Sequence, residues 1–585
     1  MDDNKNIGVN GQKPRRKPPV ANGEGPRRKS PVADGEGARR KPPVANGNGA
    51  SRKQPVQTNA QNAANNRQIQ SENFRSSHQN IAKTKYNEEL KKKRVIEQQK
   101  HARKNAKSRK VGITLAVIQL VISTIFLGIL FILDMLPYQI LVGVGVVLIL
   151  IDLAVVIGQL KSRKKAITGK IVSVIMILSL CTGSYYLGWA NSTLNKISGG
   201  DTKLDHIVVA VLETNSAETL QDAAEYSYGV EYGSAREDIE GAIAEINKEV
   251  GHDINIAQEY NSLLEQAQAL LNGEVQAIIY NEAFIGMLDD SYPDFESKIK
   301  VLYTHEIRSK LELAVPVADV KVKKESFVVY ISGIDVFGKI TKNSRSDVNM
   351  LAVINPKTHK VLLVNTPRDY YVQIPGVSGE AKDKLTHAGI YGVDKSIATL
   401  SSIYDIEIPF YTRVNFTSLI EMVDALGGID VHSEHAFTSI AHANMGAAIH
   451  VKEGMNHFDG REALIFSRER KNLPGGDNQR GKNQQAVIEA MIQKAMTPAI
   501  LSGAMGLLKT VGENVETNMT NDQIQDLVKM QISKNPTWDI QSIAVTGTNA
   551  KKNCYSYSGG SLFVMEPNQG SVDEAKAKIA EVLAE

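Results

Sequence analysis

Between Val111 and Ala190 the chain carries three stretches that constrain everything else, because their side chains belong in a bilayer. Val111–Leu133 has no charged residue over 23 positions. At a helical rise of about 1.5 Å per residue, that is enough to cross a hydrocarbon core. Tyr138–Leu160 is a second such run, interrupted only by Asp152, and Ile171–Ala190 is a third. Asp134 to Pro137 leave room only for a tight hairpin between the first two. Lys161, Arg163, Lys164, Lys165 and Lys170 lie between the second and third spans, and a basic arm precedes the first. Positive charge stays on the cytoplasmic side, so three spans send everything from Asn191 onward outside. Asp152 could serve a proton or a partner; with no second intramembrane charge, a polar contact between helices is the simpler expectation.

The formal net charge of +4 conceals a basic front and an acidic middle. Residues 14–49 repeat a twelve-residue unit, PRRKPPVANGEG, PRRKSPVADGEG and ARRKPPVANGNG. Its Pro, Gly and charge cannot bury a core, so residues 1–110 read as a disordered basic cytoplasmic region, with helical character from about residue 80. Such an arm could bind anionic headgroups or nucleic acid. No aromatic residues interleave with its cations, which favours a solvated tail that tunes topology, and nucleic acid is not an expected partner. The first apolar run also begins too late for a cleavable signal. The two cysteines, Cys181 within an apolar run and Cys554 near the C-terminus, are not placed to pair; an exported chain without disulfides fits a bacterial surface.

After the spans (111–190), two α/β regions are expected. Residues 200–320 are acidic and alternate HIVVAVLE, a helix near SAREDIEGAIAEINKEV, a second helix in NSLLEQAQALLNGE stopped by Gly273, and a strand in VQAIIYNEAF. Its acidic residues have the spacing of solvated helix faces, so this reads as an accessory domain or spacer. Residues 325–585 mix strands and helices in an order that implies a central sheet flanked by helices, with a C-terminal extension. Ser326–Ile334 reads as a buried strand, and Val348–Ile354 and Val361–Thr366 as a hairpin around Asn355-Pro356-Lys357. Thr417–Leu426 reads as a helix stopped by Gly427-Gly428.

Charges of both signs crowd the ends of those apolar strands: Asp335, Arg345, Asp347, Arg368 and Asp369. Asp335 and Asp347 could share a hard divalent cation such as Mg²⁺, which takes one or two carboxylates plus substrate phosphate oxygens. Arg345, Arg368, Arg468, Arg470 and Arg480 supply forked donors that match phosphate. Positions 480, 484, 487, 488, 491, 492 and 495 form one helical stripe whose later members are apolar, so Arg480 and Gln484 also point inward, near the helix N-terminus, where an anion is favoured. Arg468 and Arg470 share a face only if SRER leaves the helix begun by GREALIF and runs extended. For any single arginine a structural salt bridge is the blander alternative; five together with two carboxylates favour a phosphoryl-group site. His387, His432, His435, His442, His450 and His457 lack metal-ligand spacing, no serine sits in a G-x-S-x-G elbow, and GVGVV at 143–147 belongs to a span.

With GID at 333–335, RSD at 345–347, TPRD at 366–369, ALGGIDV at 425–431, and SRER followed by GGDNQRGKNQQ, the chain resembles the LytR-CpsA-Psr family of bacterial cell-wall glycopolymer ligases, particularly its CpsA-like branch, over roughly residues 325–500. The three spans and the accessory region also look like that branch; the repeat arm does not. The resemblance implies a polyprenyl phosphate or pyrophosphate carrier with its tail in an apolar cavity, Mg²⁺ on Asp335 and Asp347, and a head group on Arg345, Arg368, Arg468, Arg470, Arg480 and Gln484. It implies transfer of a glycan phosphate, of a capsular or teichoic-acid-like polymer, from that carrier to peptidoglycan by a multi-pass membrane protein, with capsule- or wall-synthesis proteins as further partners. Asn365 and Val348 depart from residues frequent in the family but remove no charge. Asp369 and Asp477 are both open as general base. The competing expectation is a non-catalytic membrane receptor or transcription attenuator, which would not need the metal pair.

Overall fold

The computed structural model describes residues 59–585 except 135, 162, 199, 234–235, 314–319, 335, 337–339, 341–342, 442–445, 496 and 498–514, and gives backbone alone for 59–84, 161–166, 197 and 477–478. The repeat arm, Asp335, His442 and the Asp477 side chain therefore lie outside what is described. The chain divides into one unit over Met1–Gln98 and another over Gln99–Glu585. In the first, helix begins at Asn59, and the described side chains of 85–98 are almost all exposed.

The second unit begins with the anchor. Helices α1 (Asn59–Ile132), α2 (Tyr138–Lys161) and α3 (Arg163–Ile197) contain three segments long and apolar enough to cross a membrane. Asp134 takes a positive φ of 44° in the connection between α1 and α2. Asp152 is buried and accepts from Gln119 Nε2 at 2.6 Å and, at the limit, from Ser123 Oγ at 3.5 Å, so the lone intramembrane carboxylate does join two helices.

Next comes a five-stranded sheet, ordered β3-β2-β4-β1-β5. Its elements are β1 (Thr202–Leu212), β2 (Ser227–Val230), α4 (Arg236–Val250), β3 (Asn255–Glu259), α5 (Leu263–Asn272), β4 (Ala277–Asn281), α6 (Ile285–Ser291) and β5 (Ile299–Lys310). The run Ile207–Val211 is apolar at every position because both faces of β1 are covered. Ile207, Val209 and Val211 pack with Ile239, Ala242 and Ile246 of α4, while Val208 and Ala210 pack with Ala267 and Leu270 of α5. Ser262 caps α5 at Glu265 N, and Gly273, at φ 73°, ends it.

The remaining domain is built on a six-stranded mixed sheet from β6 (Phe327–Ile334), β7 (Ser346–Asn355), β8 (Lys360–Thr366), β9 (Phe410–Val414), β10 (Val515–Thr517) and β11 (Asp539–Ala544), ordered β10-β9-β6-β7-β8-β11. The β6-β7-β8 meander is antiparallel, as the hairpin around Asn355 requires, and β9 and β11 add to it in parallel. On one face Val328, Tyr330, Leu351 and Val364 pack beneath α7 (Val393–Tyr404) and the C-terminal helix α12 (Gln569–Ala584), through Val572, Ala575 and Ile579. On the other, Phe327, Val329 and Leu363 meet Ile488 and Ile492 of α10 (Asp477–Ala495) and Ile524 and Leu527 of α11 (Asn521–Lys534). Between β9 and α10 lie α8 (Phe416–Ala425), closed by Gly427 and Gly428 at φ 75° and 83°, and α9 (Gly460–Arg468). The sheet domain is seated on the anchor at α11: Asn521 Nδ2 donates to Asn195 Oδ1 at 2.7 Å, and Lys529 pairs with Asp134.

Candidate active site

The site forms where β6, β7 and β8 end together. Gly333 pairs with Val348, but Ile334 pairs with Ser346, so Asp347 is the extra residue of a bulge and has no partner in the ladder. A bulge re-aims a side chain, and here it turns Asp347 toward the end of β8. A Cβ on Gly333 would lie 2.6 Å from Val348 Cγ2, so only glycine lets the two strands close at this point. Just past β8, Arg368 Nη1 donates to Asp347 Oδ2 at 2.9 Å, and Thr386 Oγ1 donates to Asp347 Oδ1 at 3.2 Å. Burial alone would raise the Asp347 carboxyl, but Arg368, Arg345 and Arg480 outweigh it and hold it down to about 2. Asp347 is therefore a fixed anion surrounded by cations.

The second half of the site comes from α9 and α10. Asp459 and Glu462 form a capping box that starts α9, and Arg468 ends it. Glu469 then turns extended, at φ −65° and ψ 132°, which brings Arg468 and Arg470 to the same cavity. The Glu469 carboxylate is buried and accepts from the backbone N–H groups of Arg470, Lys471 and Asn472 at 3.0, 2.9 and 3.2 Å and from that of Ile440 at 3.2 Å. Its charge holds the loop that presents Arg470. The Arg468 guanidinium stacks over Phe416, 4.1 Å from the ring centre. Arg480 is only 9% exposed, and Gln484 lies one turn further along α10.

These groups surround one cavity of about 480 Å³. Arg345, Asp347, Arg368, Arg468, Arg470, Arg480 and Gln484 all line it, and its remaining wall is largely apolar, with Leu419, Leu464, Val487 and Ile488 among its members. Its guanidinium groups can neutralise several negative charges, and its apolar side chains can take a hydrocarbon. Asp369 faces a neighbouring cleft with Lys384, Arg470 and Lys471, where Lys384 Nζ binds its Oδ1 at 2.9 Å. Asp335 and the Asp477 side chain lie outside the described residues. Among those described, no three His, Cys, Asp or Glu side chains cluster as a metal site. Asp347, ionised and beside the Thr386 hydroxyl, has the hard oxygen chemistry that suits Mg²⁺.

Sequence reasoning missed Asp290. It belongs to α6 of the first sheet domain, yet it lines the cavity and accepts from Arg345 Nη1. A Cβ on Gly286, one turn earlier, would sit 2.9 Å from Arg345 Nη2, so this helix presents bare backbone to the guanidinium. The region read as an accessory domain or spacer thus contributes a residue to the cavity wall. Thr386, Lys384 and Glu469 were also passed over. Glu469 had a visible signal, a carboxylate between two arginines in SRER; Asp290 had none, since nothing local distinguishes it from the other acids of its domain.

The LytR_cpsA_psr family profile matches residues 297–572. The "Polyisoprenyl-teichoic acid--peptidoglycan teichoic acid transferase TagU" of Bacillus mycoides is 35% identical over 230 residues, 39% of this chain and 71% of that protein. The corresponding TagT of Bacillus subtilis is 29% identical over 262 residues, 44% of this chain and 76% of that protein. The crystal structure of B. subtilis TagU is 27% identical and covers 44% of this chain and 97% of that one, with a TM-score of 0.34.

Proposed function

Because the chain belongs to the LytR-CpsA-Psr family, we propose that it is a membrane-anchored phosphotransferase that moves a glycan phosphate from a polyprenyl-pyrophosphate carrier to peptidoglycan. One observation carries this reading: five arginines and Gln484 line, with an ionised Asp347, a cavity that also has many apolar side chains in its wall. A pyrophosphate bonded to a hydrocarbon tail has that same division of character. A peptidoglycan hydroxyl oxygen attacks the phosphorus that bears the glycan. The bond from that phosphorus to the bridging oxygen breaks, the polyprenyl phosphate leaves, and the hydroxyl proton passes to a base.

Each residue then has a task. Arg345 and Arg368 flank Asp347 and neutralise charge on the transferring phosphoryl group, where fixed donors are worth most. Arg468, Arg470, Arg480 and Gln484 hold the leaving lipid phosphate, and Glu469 keeps Arg470 aimed at it. Mg²⁺ would be held by Asp347 with Asp335, and would supply further charge neutralisation on the phosphate oxygens. The apolar wall fixes the tail, with the anchor keeping the cavity at the bilayer. In this reading the N-terminus is cytoplasmic and both sheet domains are extracellular, and the polymer is of capsular or teichoic-acid type.

The test is transfer in vitro. Full-length protein in lipid nanodiscs, given a polyprenyl-pyrophosphate glycan and peptidoglycan, should release polyprenyl phosphate with Mg²⁺ and stop with EDTA. Loss of transfer in Arg368→Ala is expected. Absence of metal-dependent transfer by the unaltered chain, with glycan attachment in cells surviving Asp347→Ala and Arg368→Ala, would overturn the reading.

A further inference from the structure

A second cavity, of about 240 Å³, lies between the two sheet domains, and no part of the phosphate chemistry above uses it. Its walls combine the rings of Phe284, Tyr391 and Tyr555 with three polar groups from the first sheet domain: the Glu231 carboxylate, the Asn261 amide and the Tyr280 hydroxyl. Tyr280 is only 2% exposed. Glu231 is half-buried and Asn261 is exposed, so both are open to a ligand that enters from solvent. A buried hydroxyl such as that of Tyr280 is costly unless something satisfies it, and an occupant of the cavity can do so. The ring walls are already fixed: Phe284 and Tyr391 meet edge to face at 5.9 Å, and the Tyr391 hydroxyl is tied to Ser556 Oγ at 2.8 Å.

We infer that this cavity binds a sugar residue of the uncharged glycan backbone of the acceptor. Sugars pair a ring face suited to aromatic walls with hydroxyl and amide edges suited to a few convergent polar groups. The position also fits. Phe284 directly precedes α6, and Asp290 near the other end of that helix lines the phosphate cavity, so the two sites are separated by about 9 Å along the helix, at a helical rise of about 1.5 Å per residue. A glycan chain anchored here by one sugar residue can extend toward the phosphate cavity. Charge argues for the acceptor over the donor polymer, because Thr202–Lys310 holds 21 Asp and Glu against 7 Lys and Arg and repels a polyanion. Burial and the neighbouring Glu259 push the Glu231 carboxyl upward, which suits a hydroxyl ligand better than a cation. The choice of acceptor rests on the transferase reading; the existence of a saccharide site does not.

The experiment is a binding titration on the full chain in nanodiscs, with an uncharged β-1,4-linked N-acetylglucosamine tetrasaccharide as one probe and a soluble poly(glycerol phosphate) as the other. The tetrasaccharide should bind saturably, and Glu231→Gln and Tyr555→Ala should each weaken it by about fivefold or more. Tyr555 is 42% exposed, so its replacement leaves the core intact. Arg368→Ala, which disables the phosphate site, should leave tetrasaccharide binding unchanged, and this separates failure of the transferase reading from failure of the saccharide site. No saturable binding by the unaltered chain, or equal binding by both cavity variants, would overturn the site. Binding of poly(glycerol phosphate) that is lost in those variants would overturn the acceptor assignment in favour of the donor.

Discussion

The two sheet domains that follow the anchor share a construction, a mixed sheet between helical layers, and differ in what they do with charge. In the first, charged side chains answer one another at the surface: Arg236 pairs with Glu240 and Glu259, and Lys248 with Glu245. In the second, strand ends and two helices aim five arginines into one cavity that Asp347, Glu469 and the first domain's Asp290 balance only in part. The difference teaches that fold alone does not locate chemistry. What marks the site is charge held inside, at the end of a ladder that a bulge has interrupted, with too few carboxylates nearby to neutralise it. Asp290 is where the two behaviours meet, an acid of the first domain placed on an arginine of the second.

The sharpest break of this comparison is to remove internal charge from the second domain. Arg368→Ala and Asp347→Asn should each lower transfer by about 10² or more, as loss of a preorganised charge-stabilising group does. The double variant should cost less than the sum of the two, because the residues contact each other at 2.9 Å. Steady-state transfer with the four proteins closes the cycle. The pH response has a defined sign. The Asp347 pKa is lowered when folded, to about 2 from 3.8, so its ionic contribution is complete above 3.8 and is lost only as pH falls through about 2. Donor binding should show no Asp347-linked loss between pH 5 and 8, which a binding isotherm at each pH checks.

Next in size is the apolar wall. Ile488→Asp puts a carboxylate into the cavity beside the hydrocarbon, a change whose desolvation cost should weaken a long-chain carrier by about tenfold or more. Binding of inorganic pyrophosphate should change far less. Equal losses for both would mean that the wall and the cationic end do not divide the donor between them. In the first domain the comparable experiment touches stability alone. Gln266 Nε2 bridges Gly229 O and Ile279 O, both at 2.8 Å, across β2 and β4. Gln266→Ala leaves those carbonyls unsatisfied and should destabilise that domain by about 1–3 kcal/mol, read by thermal unfolding.

Much of this was legible from the residues. The three apolar runs stand as three helices, the hairpin around Asn355 is the β7-β8 turn, and Gly273 and Gly427-Gly428 end the helices they follow, because each signal is local. The stripe on α10 brought Arg480 and Gln484 to the cavity for the same reason: a helical period carries geometry on its own. Other features required contacts that sequence does not carry. The Asp347 bulge depends on how two strands register, Glu469 acts through three backbone donors of its own turn, and Asp290 meets Arg345 across a sequence separation of 55. Asp369 keeps its TPRD neighbour Arg368 at 3.9 Å and also pairs with Lys384, a partner that the sequence pattern does not show.

The smallest expected effect tests whether the first domain enters the chemistry at all. Asp290 is largely exposed, so its pairing with Arg345 is a screened contact worth at most about 1 kcal/mol. It nonetheless occupies the guanidinium that a phosphate must take, and a carboxylate there competes with the donor. Asp290→Asn removes the competing charge while keeping the side-chain length, and should tighten donor binding by about two- to fivefold, the equivalent of that energy. Transfer at saturating donor should be unchanged, since the contact exists only before the phosphate arrives. If donor affinity stays constant while saturated transfer falls, Asp290 acts on the bound substrate and not on the empty site. The division between a domain that spends its charges and one that holds them in reserve would then have to be redrawn to include α6 in the reacting centre.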